Sequence, residues 1–210
     1  MTIKNFIKKH LRKIIKFPAS KRAYKLLNGL KGIEIGASAQ CDFMLDTINI
    51  DVSKHDSPDD VYNREQKRFG HNVKKVDVVA SGDDLPFEDE SFDFVISSHV
   101  LEHFFDPVKA LKEWYRVIKP DGYIFMIIPH KMRTFDRNKK RTSLQELIDR
   151  HEGRIDCAEF GADFHHSIWI LEDVLELCRY LNFNVIEYYD KDDNVGNGFT
   201  IIIQKKGKKV

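Results

Sequence analysis

The chain has 210 residues, of which 42% are hydrophobic and 32% are charged. This composition is typical of a single globular domain, and no apolar run approaches the roughly 20 residues that a membrane-spanning helix needs. The three cysteines show neither Cys-x-x-Cys nor Cys/His finger spacing, which argues against a disulfide framework or a structural zinc site and favours a reducing, cytoplasmic setting.

A basic N-terminal arm, assigned to residues 1–30, precedes a single domain at residues 31–210. Residues 1–31 contain ten Lys and Arg and no Asp or Glu, although the net charge of the chain is only +1. Apolar residues at helical spacing predict a cationic amphipathic helix that ends at Pro18. Two interpretations stay open: this helix caps the core or a substrate pocket, or residues 1–17 contact an anionic membrane surface or an acidic partner. Nucleic acid is not favoured, because the arm lacks an interleaved aromatic stacking pattern.

Strand-like and helix-like segments alternate after the arm. Four strands are predicted first, at residues 33–36, 47–52, 75–80 and 92–98. Asp106-Pro107 then opens a helix that reaches about residue 118. Pro120-Asp121-Gly122 predicts a turn, and the following YIFMIIP is apolar on both faces, as in a central parallel strand.

The remainder of the chain contains an interruption before the alternation resumes. Residues 130–168 are polar, with one predicted helix near 143–150, and we expect substrate-specific structure in this insertion. The closing elements are a helix and two strands, predicted at residues 171–181, 184–189 and 199–204. The alternation as a whole predicts an α/β fold with a doubly wound, mostly parallel sheet.

Ligands of such sheets bind beyond the carboxyl ends of the strands, so we expect the chemistry to follow each strand. Gly36 ends the first strand, and Asp51 ends the second, fifteen residues later. A glycine turn followed by a carboxylate that can accept the hydroxyls of a ribose is the general pattern of nucleoside binding in these folds.

Three longer motifs follow, reading ASGDDLPFEDESFD, SSHVLEHFFDP and RVIKPDGYIFMIIP. Together they resemble the class I S-adenosylmethionine-dependent methyltransferases, closely over residues 31–130 and more loosely over 169–185. The resemblance implies a seven-stranded Rossmann-like sheet with an antiparallel last strand and S-adenosyl-L-methionine as the cofactor. It also implies that Gly36-Ala37 approaches the methionine part, that Glu34 lies near its amino group or steadies the loop, and that Asp51 holds the ribose.

The resemblance places further cofactor contacts after the third and fourth strands. Ser98 and His99 are expected beside the methionine part. Ser81-Gly82 occupies the register at which many relatives contact adenine with Asp-Ala, and Asp83 is a substitute for that contact. The motif departs from the family where Ser38 replaces the second glycine, and the short distance to the second strand predicts a shortened or irregular first helix.

The words EIGASAQ, SSHVLEHF, HKMRTFDRNKKRTSLQELI and VGNGFTIII are most similar to methyltransferases of bacterial surface-polysaccharide biosynthesis. That similarity implies methyl transfer to a small-molecule or glycan hydroxyl, or to a related O or N acceptor. Methylation of another small metabolite and a non-catalytic cofactor-binding partner protein are the alternatives. A nicotinamide-dependent enzyme is a third, weakened by the absence of a Gly-x-Gly-x-x-Gly motif.

Histidines are the candidates for a general base, because they titrate in the useful range. His130 is the leading candidate and His103 the second, since both follow strands that end at the predicted cleft; His165 and His166 are less favoured. A divalent metal bound by these histidines with Asp136 or Asp163 is a remoter alternative, and no metal site is predicted. The sequence does not predict the oligomeric state.

Overall fold

The computed structural model describes residues 18–37, 42–54, 75–157 and 164–207. Within these ranges the chain forms one sheet of seven strands in the order β3-β2-β1-β4-β5-β7-β6. The strands are β1 Lys31–Ile35, β2 Asp46–Asp51, β3 Val78–Val79, β4 Phe92–Ser98, β5 Ile118–Pro129, β6 Val185–Tyr189 and β7 Gly198–Gln204.

Strands β1 to β5 pair in parallel, whereas β7 runs antiparallel to both β5 and β6. Six strands therefore share one direction, which confirms the predicted doubly wound, mostly parallel sheet with its last strand antiparallel. The central strands are buried along most of their length, because helices cover both faces of a parallel sheet.

Four α-helices are described: α1 Lys21–Leu27, α2 Pro107–Val117, α3 Leu144–His151 and α4 Leu171–Tyr180. Ser20, Asp106 and Ser143 cap the first three helices, each accepting the backbone N–H of the residue three positions later. Pro107 occupies the first turn of α2, where its missing N–H costs nothing. The predicted starts of α2 and α3 are confirmed by these caps.

The core lies on both faces of the sheet. On one face α1 buries Ala23 and Leu27 against Phe94 and Phe125. On the other face α2 and α4 pack with the aliphatic side chains of β1, β4 and β5, and Trp114 of α2 is fully buried there. Val108, Leu111 and Trp114 are among the side chains that α2 buries on this face.

Two strands differ from their predictions. Strand β3 covers only Val78–Val79 of the predicted segment, with both residues only partly buried or exposed at the edge of the sheet. Strand β5 begins at Ile118 rather than after the predicted turn, because that turn is a bulge within the strand: Phe92 pairs with Ile118, but Phe94 pairs with Tyr123. Asp121 adopts a φ of 64° inside this bulge.

The N-terminal arm is described only in part. Residues 1–17, which carry the predicted amphipathic helix, lie outside the described residues. Beyond Pro18, α1 packs on the sheet, and Ser20 Oγ donates a hydrogen bond to Asp193 Oδ1 at 2.6 Å. Residues 18–30 therefore contribute to the core on one face of the sheet, and the predicted boundary at residue 30 stays a prediction.

None of the described helices is both long and apolar enough to cross a membrane.

Candidate functional site

The strand order reverses direction between β1 and β4, so the carboxyl ends of these two strands mark the switch point where ligands of such sheets bind. Gly36 follows β1 there and has a φ of 65°, a conformation that favours glycine. A Cβ at this position would lie 2.6 Å from Val100 Cγ2, so the turn also needs a residue without a side chain. Glu34 and Ala37 on either side are buried.

Asp51 is the last residue of β2 and lies beside the glycine turn, because Ile35 and Ile50 are register partners in the adjacent strands. Its Oδ1 accepts the N–H of Val52 at 2.7 Å, which orients the half-buried carboxylate at the edge of the sheet. The structure thus brings Gly36 and Asp51 together as the sequence predicts. Ser38, the residue at the departure from the glycine pattern, and the residues expected to hold the shortened first helix lie mostly outside the described residues.

Ser81, Gly82 and Asp83 follow β3, the outermost of the parallel strands. The Asp83 carboxylate accepts from Ser81 Oγ and lies 3.0 Å from Lys109 Nζ. Burial is the largest influence on Asp83 and opposes ionisation, but these partners outweigh it and lower the pKa. Gly82 is buried, and its carbonyl accepts from Trp114 Nε1 at 2.8 Å. Asp83 is thus committed to an ion pair, whereas Ser81 is exposed.

Ser98 ends β4, and His99 follows with a φ of 55°, an uncommon conformation for a residue with a side chain. The N–H of His99 donates to the carbonyl of Ile127 in β5 at 2.8 Å, which holds this turn against the neighbouring strand. Burial lowers the pKa of the His99 imidazole. Both residues therefore lie at the predicted place, across the switch point from Gly36.

A fully buried carboxylate, Glu102, lies in the 3₁₀ turn Leu101–His103 that follows. Neither side-chain oxygen of Glu102 has a hydrogen-bond partner among the described residues. Burial raises the pKa of Glu102 to about 8, with the charge of Asp136 as a smaller cause. Such a group is costly unless something compensates it, and it was not among the predicted site residues.

Imidazole nitrogens surround this carboxylate. Glu102 Oε1 is 3.8 Å from His99 Nδ1, 3.8 Å from His103 Nε2 and 3.9 Å from His165 Nε2. The rings of His103 and His165 meet edge to face with centroids 4.9 Å apart. The structure therefore brings together one favoured candidate, His103, and one less favoured, His165. We call Glu102, His103 and His165 the Glu102 cluster.

Asp136 completes the surroundings of His165. Its Oδ2 is 2.6 Å from His165 Nδ1, and its Oδ1 is 2.7 Å from Lys139 Nζ. Burial is the largest influence on Asp136 and opposes its ionisation, but Lys139 and His165 outweigh it, so the pKa of Asp136 is lowered overall. The carboxylate fixes the orientation of the imidazole, so Nε2 is the nitrogen of His165 that faces Glu102.

The segment that carries His165 is tied to the 3₁₀ turn by its backbone. The carbonyl of Glu102 accepts the N–H of His166 at 2.8 Å and that of Ser167 at 3.2 Å. Arg150 of α3 braces the same segment, donating to the carbonyl of His166 at 3.0 Å and to Ser167 Oγ at 3.1 Å. The predicted insertion thus contributes a strap that lies directly against the end of β4.

His130, the leading predicted base, has a capping role in the structure. Its Nδ1 accepts the N–H of Met132 at 3.1 Å, and its Nε2 lies 3.8 Å from Asp190 Oδ1. With Nδ1 accepting, a neutral ring carries its proton on Nε2 and has no lone pair free to remove another. Burial, then the charge of Arg133, lowers the pKa of His130. Its role as a base stays a prediction that these contacts do not favour.

The loop between β6 and β7 closes over the same edge. Asp192 is buried and accepts four backbone N–H groups, those of Asn194, Val195, Gly196 and Gly198, at 2.7–2.9 Å. This arrangement places Asn197, whose carbonyl accepts the N–H of His130 at 3.1 Å and whose side chain lies against His99. Asn197 belongs to the VGNGFTIII motif, in which the sequence predicts no site residue.

A cleft of about 360 Å³ opens next to the Glu102 cluster. Its lining includes His165 and His166 together with the basic side chains of Lys139, Lys140, Arg141 and Arg150. The lining also includes the carboxylates of Glu146 and Asp156, so four basic side chains face two acidic ones, a modest excess of positive charge that suits a molecule with an acidic group. Asp163, named as a remote metal ligand, lies outside the described residues.

Sequence reasoning missed Glu102 and Asn197, and named Asp136 only for a remote metal alternative. The sequence did contain a signal for Glu102: it is an acidic residue next to His103, within the LEHF motif that follows a predicted strand. Asp136 and Asn197 carried no comparable signal, since each acts through residues far away in the sequence.

Comparison with known proteins finds methyltransferases. Residues 35–126 match the family model described as a methyltransferase domain. The chain is 35% identical over 79 residues to the ubiquinone/menaquinone biosynthesis C-methyltransferase UbiE of Rickettsia prowazekii, which covers 35% of this chain and 31% of that protein. It is 45% identical over 47 residues to the malonyl-(acyl-carrier protein) O-methyltransferase of a Marinomonas species, which covers 22% of this chain and 17% of that protein. The chain thus matches less than a third of the length of these curated relatives.

Among solved structures, a SAM-dependent methyltransferase from Thermotoga maritima matches with a TM-score of 0.54 at 21% identity, covering 96% of this chain and 97% of that one. Such a likeness at low identity concerns the fold. This chain therefore has the fold of the S-adenosylmethionine-dependent methyltransferases, and its residues 35–126 match their methyltransferase domain.

Proposed function

We propose that the protein transfers the methyl group of S-adenosylmethionine to an acceptor bound beside the ends of β4 and β5. One observation carries this proposal: the Gly36 turn and the Asp51 carboxylate lie side by side at the switch point of the sheet. A turn without side chains allows close approach of the methionine part, and a carboxylate on the next strand accepts the ribose hydroxyls.

The neighbouring residues have supporting roles in this proposal. Glu34 and Ala37 form the floor of the methionine part, and Ser98 and His99 form its opposite wall. Ser81 and Gly82 are assigned to the adenine side. Asp83 is a weaker candidate for that contact, because its carboxylate is already paired with Lys109.

Methyl transfer requires little chemistry from the protein beyond positioning, since the sulfonium methyl is already activated. An electron pair of the acceptor forms a bond to the methyl carbon, and the carbon–sulfur bond breaks with its electron pair passing to sulfur. The products are the methylated acceptor and S-adenosylhomocysteine, and a hydroxyl acceptor gives its proton to a base or to water. Holding the acceptor in line with the methyl group can supply much of the rate.

The proposed acceptor is a hydroxyl, or a related O or N atom, of a small molecule or glycan with an acidic group. The basic cleft beside His165 supports this choice, and surface-polysaccharide modification is a pathway in which such acceptors occur. The curated relatives are named for methylation at carbon and at oxygen, so their names do not select the acceptor atom.

A cytoplasmic setting, with residues 1–17 contacting an anionic membrane surface, is a further part of the proposal supported by the basic sequence of that arm. Attraction between exposed charges is screened within about 10 Å at 0.1 M salt. Sedimentation with anionic vesicles should therefore show salt-sensitive binding that a chain lacking residues 1–17 loses. Absence of binding at low salt would exclude the membrane contact and leave the enzymatic proposal intact.

Calorimetry with S-adenosylmethionine and S-adenosylhomocysteine tests the central proposal. Asp51→Ala should weaken binding at least about tenfold, because hydrogen bonds to a charged group contribute roughly 1.5–3 kcal/mol each. Asp46→Ala is the matched control, since Asp46 is exposed at the opposite end of the same strand. No binding by the unmodified protein, or equal affinity in Asp51→Ala, would refute the proposal. Transfer of a labelled methyl group to extract fractions then identifies the acceptor.

A further inference from the structure

The buried Glu102 carboxylate needs a partner that the described residues do not provide. It is fully buried, and both of its oxygens lack a hydrogen bond to any described group. An ionised carboxylate in this condition carries a large desolvation cost, which the group avoids either by holding a proton or by pairing with a positive charge. A cation bound against it would remove that cost.

Two of the three histidines beside Glu102, His103 and His165, are oriented as metal ligands are. The Nδ1 of His103 is 3.2 Å from the carbonyl oxygen of Phe164, and the Nδ1 of His165 is 2.6 Å from Asp136 Oδ2. In both rings Nδ1 has an oxygen partner, and Nε2 is the nitrogen that faces Glu102. Metal-binding histidines typically donate their second ring nitrogen to a carboxylate or a backbone carbonyl in this way.

The distances suit an ion between these groups. One ligand atom each from Glu102, His103 and His165 lies within 4.8 Å of the other two. Two atoms that are each about 2.1 Å from an ion, at the tetrahedral angle, are roughly 3.4 Å apart. The separations of 3.8 Å and 3.9 Å from Glu102 Oε1 would have to close by about half an ångström, and the widest pair of ligand atoms by at most about 1.4 Å.

We propose that Glu102, His103 and His165 bind one divalent transition-metal ion, with Asp136 orienting His165. Two imidazoles and one carboxylate suit zinc, manganese or ferrous iron, whereas Mg²⁺ prefers oxygen ligands. Three protein ligands leave coordination positions open for a further group.

The proposed ion has a consequence for the reaction, and this part rests on the proposed methyltransferase function. Of the three ligands, His165 lines the cleft, so we infer that an acceptor oxygen would approach an open position on the ion from that side. Coordination lowers the pKa of a bound hydroxyl, so its proton passes to water before the oxygen attacks the methyl carbon. The ion thereby selects hydroxyl-bearing acceptors over carbon acceptors.

Metal binding is tested on the full chain after removal of bound metal with a chelator. Calorimetric titration with Zn²⁺, Mn²⁺ and Mg²⁺, and absorption spectra with Co²⁺, give the stoichiometry, affinity and coordination. We expect one tight site for Zn²⁺, weak Mg²⁺ binding, and a Co²⁺ spectrum typical of nitrogen and oxygen ligands. Glu102→Gln and His165→Ala should each weaken Zn²⁺ binding at least about 100-fold, and Asp136→Asn about 10–100-fold.

His151→Ala is the matched control, because His151 also pairs its Nδ1 with an aspartate, Asp106 at 2.8 Å, but its Nε2 lies beside Lys112 rather than a carboxylate. This variant should bind Zn²⁺ like the unmodified protein. Circular dichroism checks that each variant is folded, and His103→Ala replaces Glu102→Gln if the buried substitution prevents folding.

Absence of a stoichiometric site, or equal Zn²⁺ affinity in His165→Ala and His151→Ala, would overturn the inference. Binding of S-adenosylmethionine is measured separately on the metal-free protein. Cofactor binding without metal binding refutes only the metal site, whereas metal binding without cofactor binding refutes only the proposed function.

Discussion

The backbone carbonyl of Glu102 accepts the N–H of His166 at 2.8 Å, which joins the turn after β4 to a segment 64 residues later in the chain. Arg150 stabilises this contact from the other side through the carbonyl of His166 and the hydroxyl of Ser167. The position of His165 over the buried carboxylate thus depends on Arg150 of α3, which is not itself one of the proposed site residues.

Arg150→Met should lower the free energy of unfolding by about 3 kcal/mol, because it leaves buried oxygen atoms without their charged donor. Chemical denaturation measures this change. Arg154→Met is the matched control on the same segment of chain: Arg154 is exposed and, among the described residues, pairs with Asp149 and Glu152 at the surface, so its loss should have little effect. Equal effects of the two substitutions would contradict the bracing role of Arg150.

Gly36→Ala should destabilise the protein and weaken cofactor binding. The substitution adds a Cβ at a φ of 65° and places it 2.6 Å from Val100. Gly153→Ala is the control for backbone strain alone, since Gly153 has a φ of 69° and no heavy atom within 4 Å of its Cβ position. Strain at positive φ costs about 1–2 kcal/mol in both variants, and the steric contact adds to it only at Gly36. Chemical denaturation and cofactor calorimetry are measured on both variants. Equal stability and equal cofactor affinity of Gly36→Ala and Gly153→Ala would contradict the assignment of Gly36 to the cofactor turn.

Asp192 links the stability of the β6–β7 loop to pH. Burial is the largest influence on Asp192 and opposes ionisation, but four backbone N–H groups lower its pKa overall. A carboxyl whose pKa is lower in the folded state stabilises the fold above its unfolded pKa of about 3.9, and that contribution is lost as pH falls through the folded pKa. Asp192→Asn should therefore cost about 3 kcal/mol at pH 7, partly because its amide group then faces the N–H of Gly198.

The difference between the unmodified protein and Asp192→Asn should shrink as the pH falls below about 4, where the wild-type carboxyl takes up a proton. Denaturation at a series of pH values measures it. Asp156→Asn, at an exposed position, serves as the control and should show no such difference. A cost at Asp192 that does not change with pH would show that the charge is not its cause.

Two substitutions separate the two roles of His130. Asn can replace its capping contact, whereas Ala cannot, and loss of an N-cap typically costs about 1 kcal/mol. If His130 only caps the turn at Met132, turnover by His130→Asn should stay within about tenfold of the unmodified protein, since loss of a general base costs roughly 10²–10⁴-fold. Turnover of both variants with the identified acceptor decides between the roles. A loss of 100-fold or more in His130→Asn would restore His130 as the base.

The sequence alone determined the sheet and the edge of it, at the carboxyl ends of the strands, where the cofactor is proposed to bind. Strand and helix periods are local properties, so β4 and the starts of α2 and α3 could be placed from apolar spacing and capping residues. Once parallel strands were predicted, their carboxyl ends had to meet at one edge. Gly36, Asp51 and Ser98 were therefore brought together by the topology of the fold rather than by any contact between their side chains.

Only the tertiary structure decided which side chains surround the proposed acceptor position. The partners of the Glu102 cluster come from distant segments, and no periodicity relates Glu102 to His165 or Asp136. The carboxylate became notable only when folding buried it, because its cost depends on the water that is excluded around it. His130 shows the converse: its position at a strand end was predictable, but the direction of its ring nitrogens depended on one backbone N–H and one side chain from another loop.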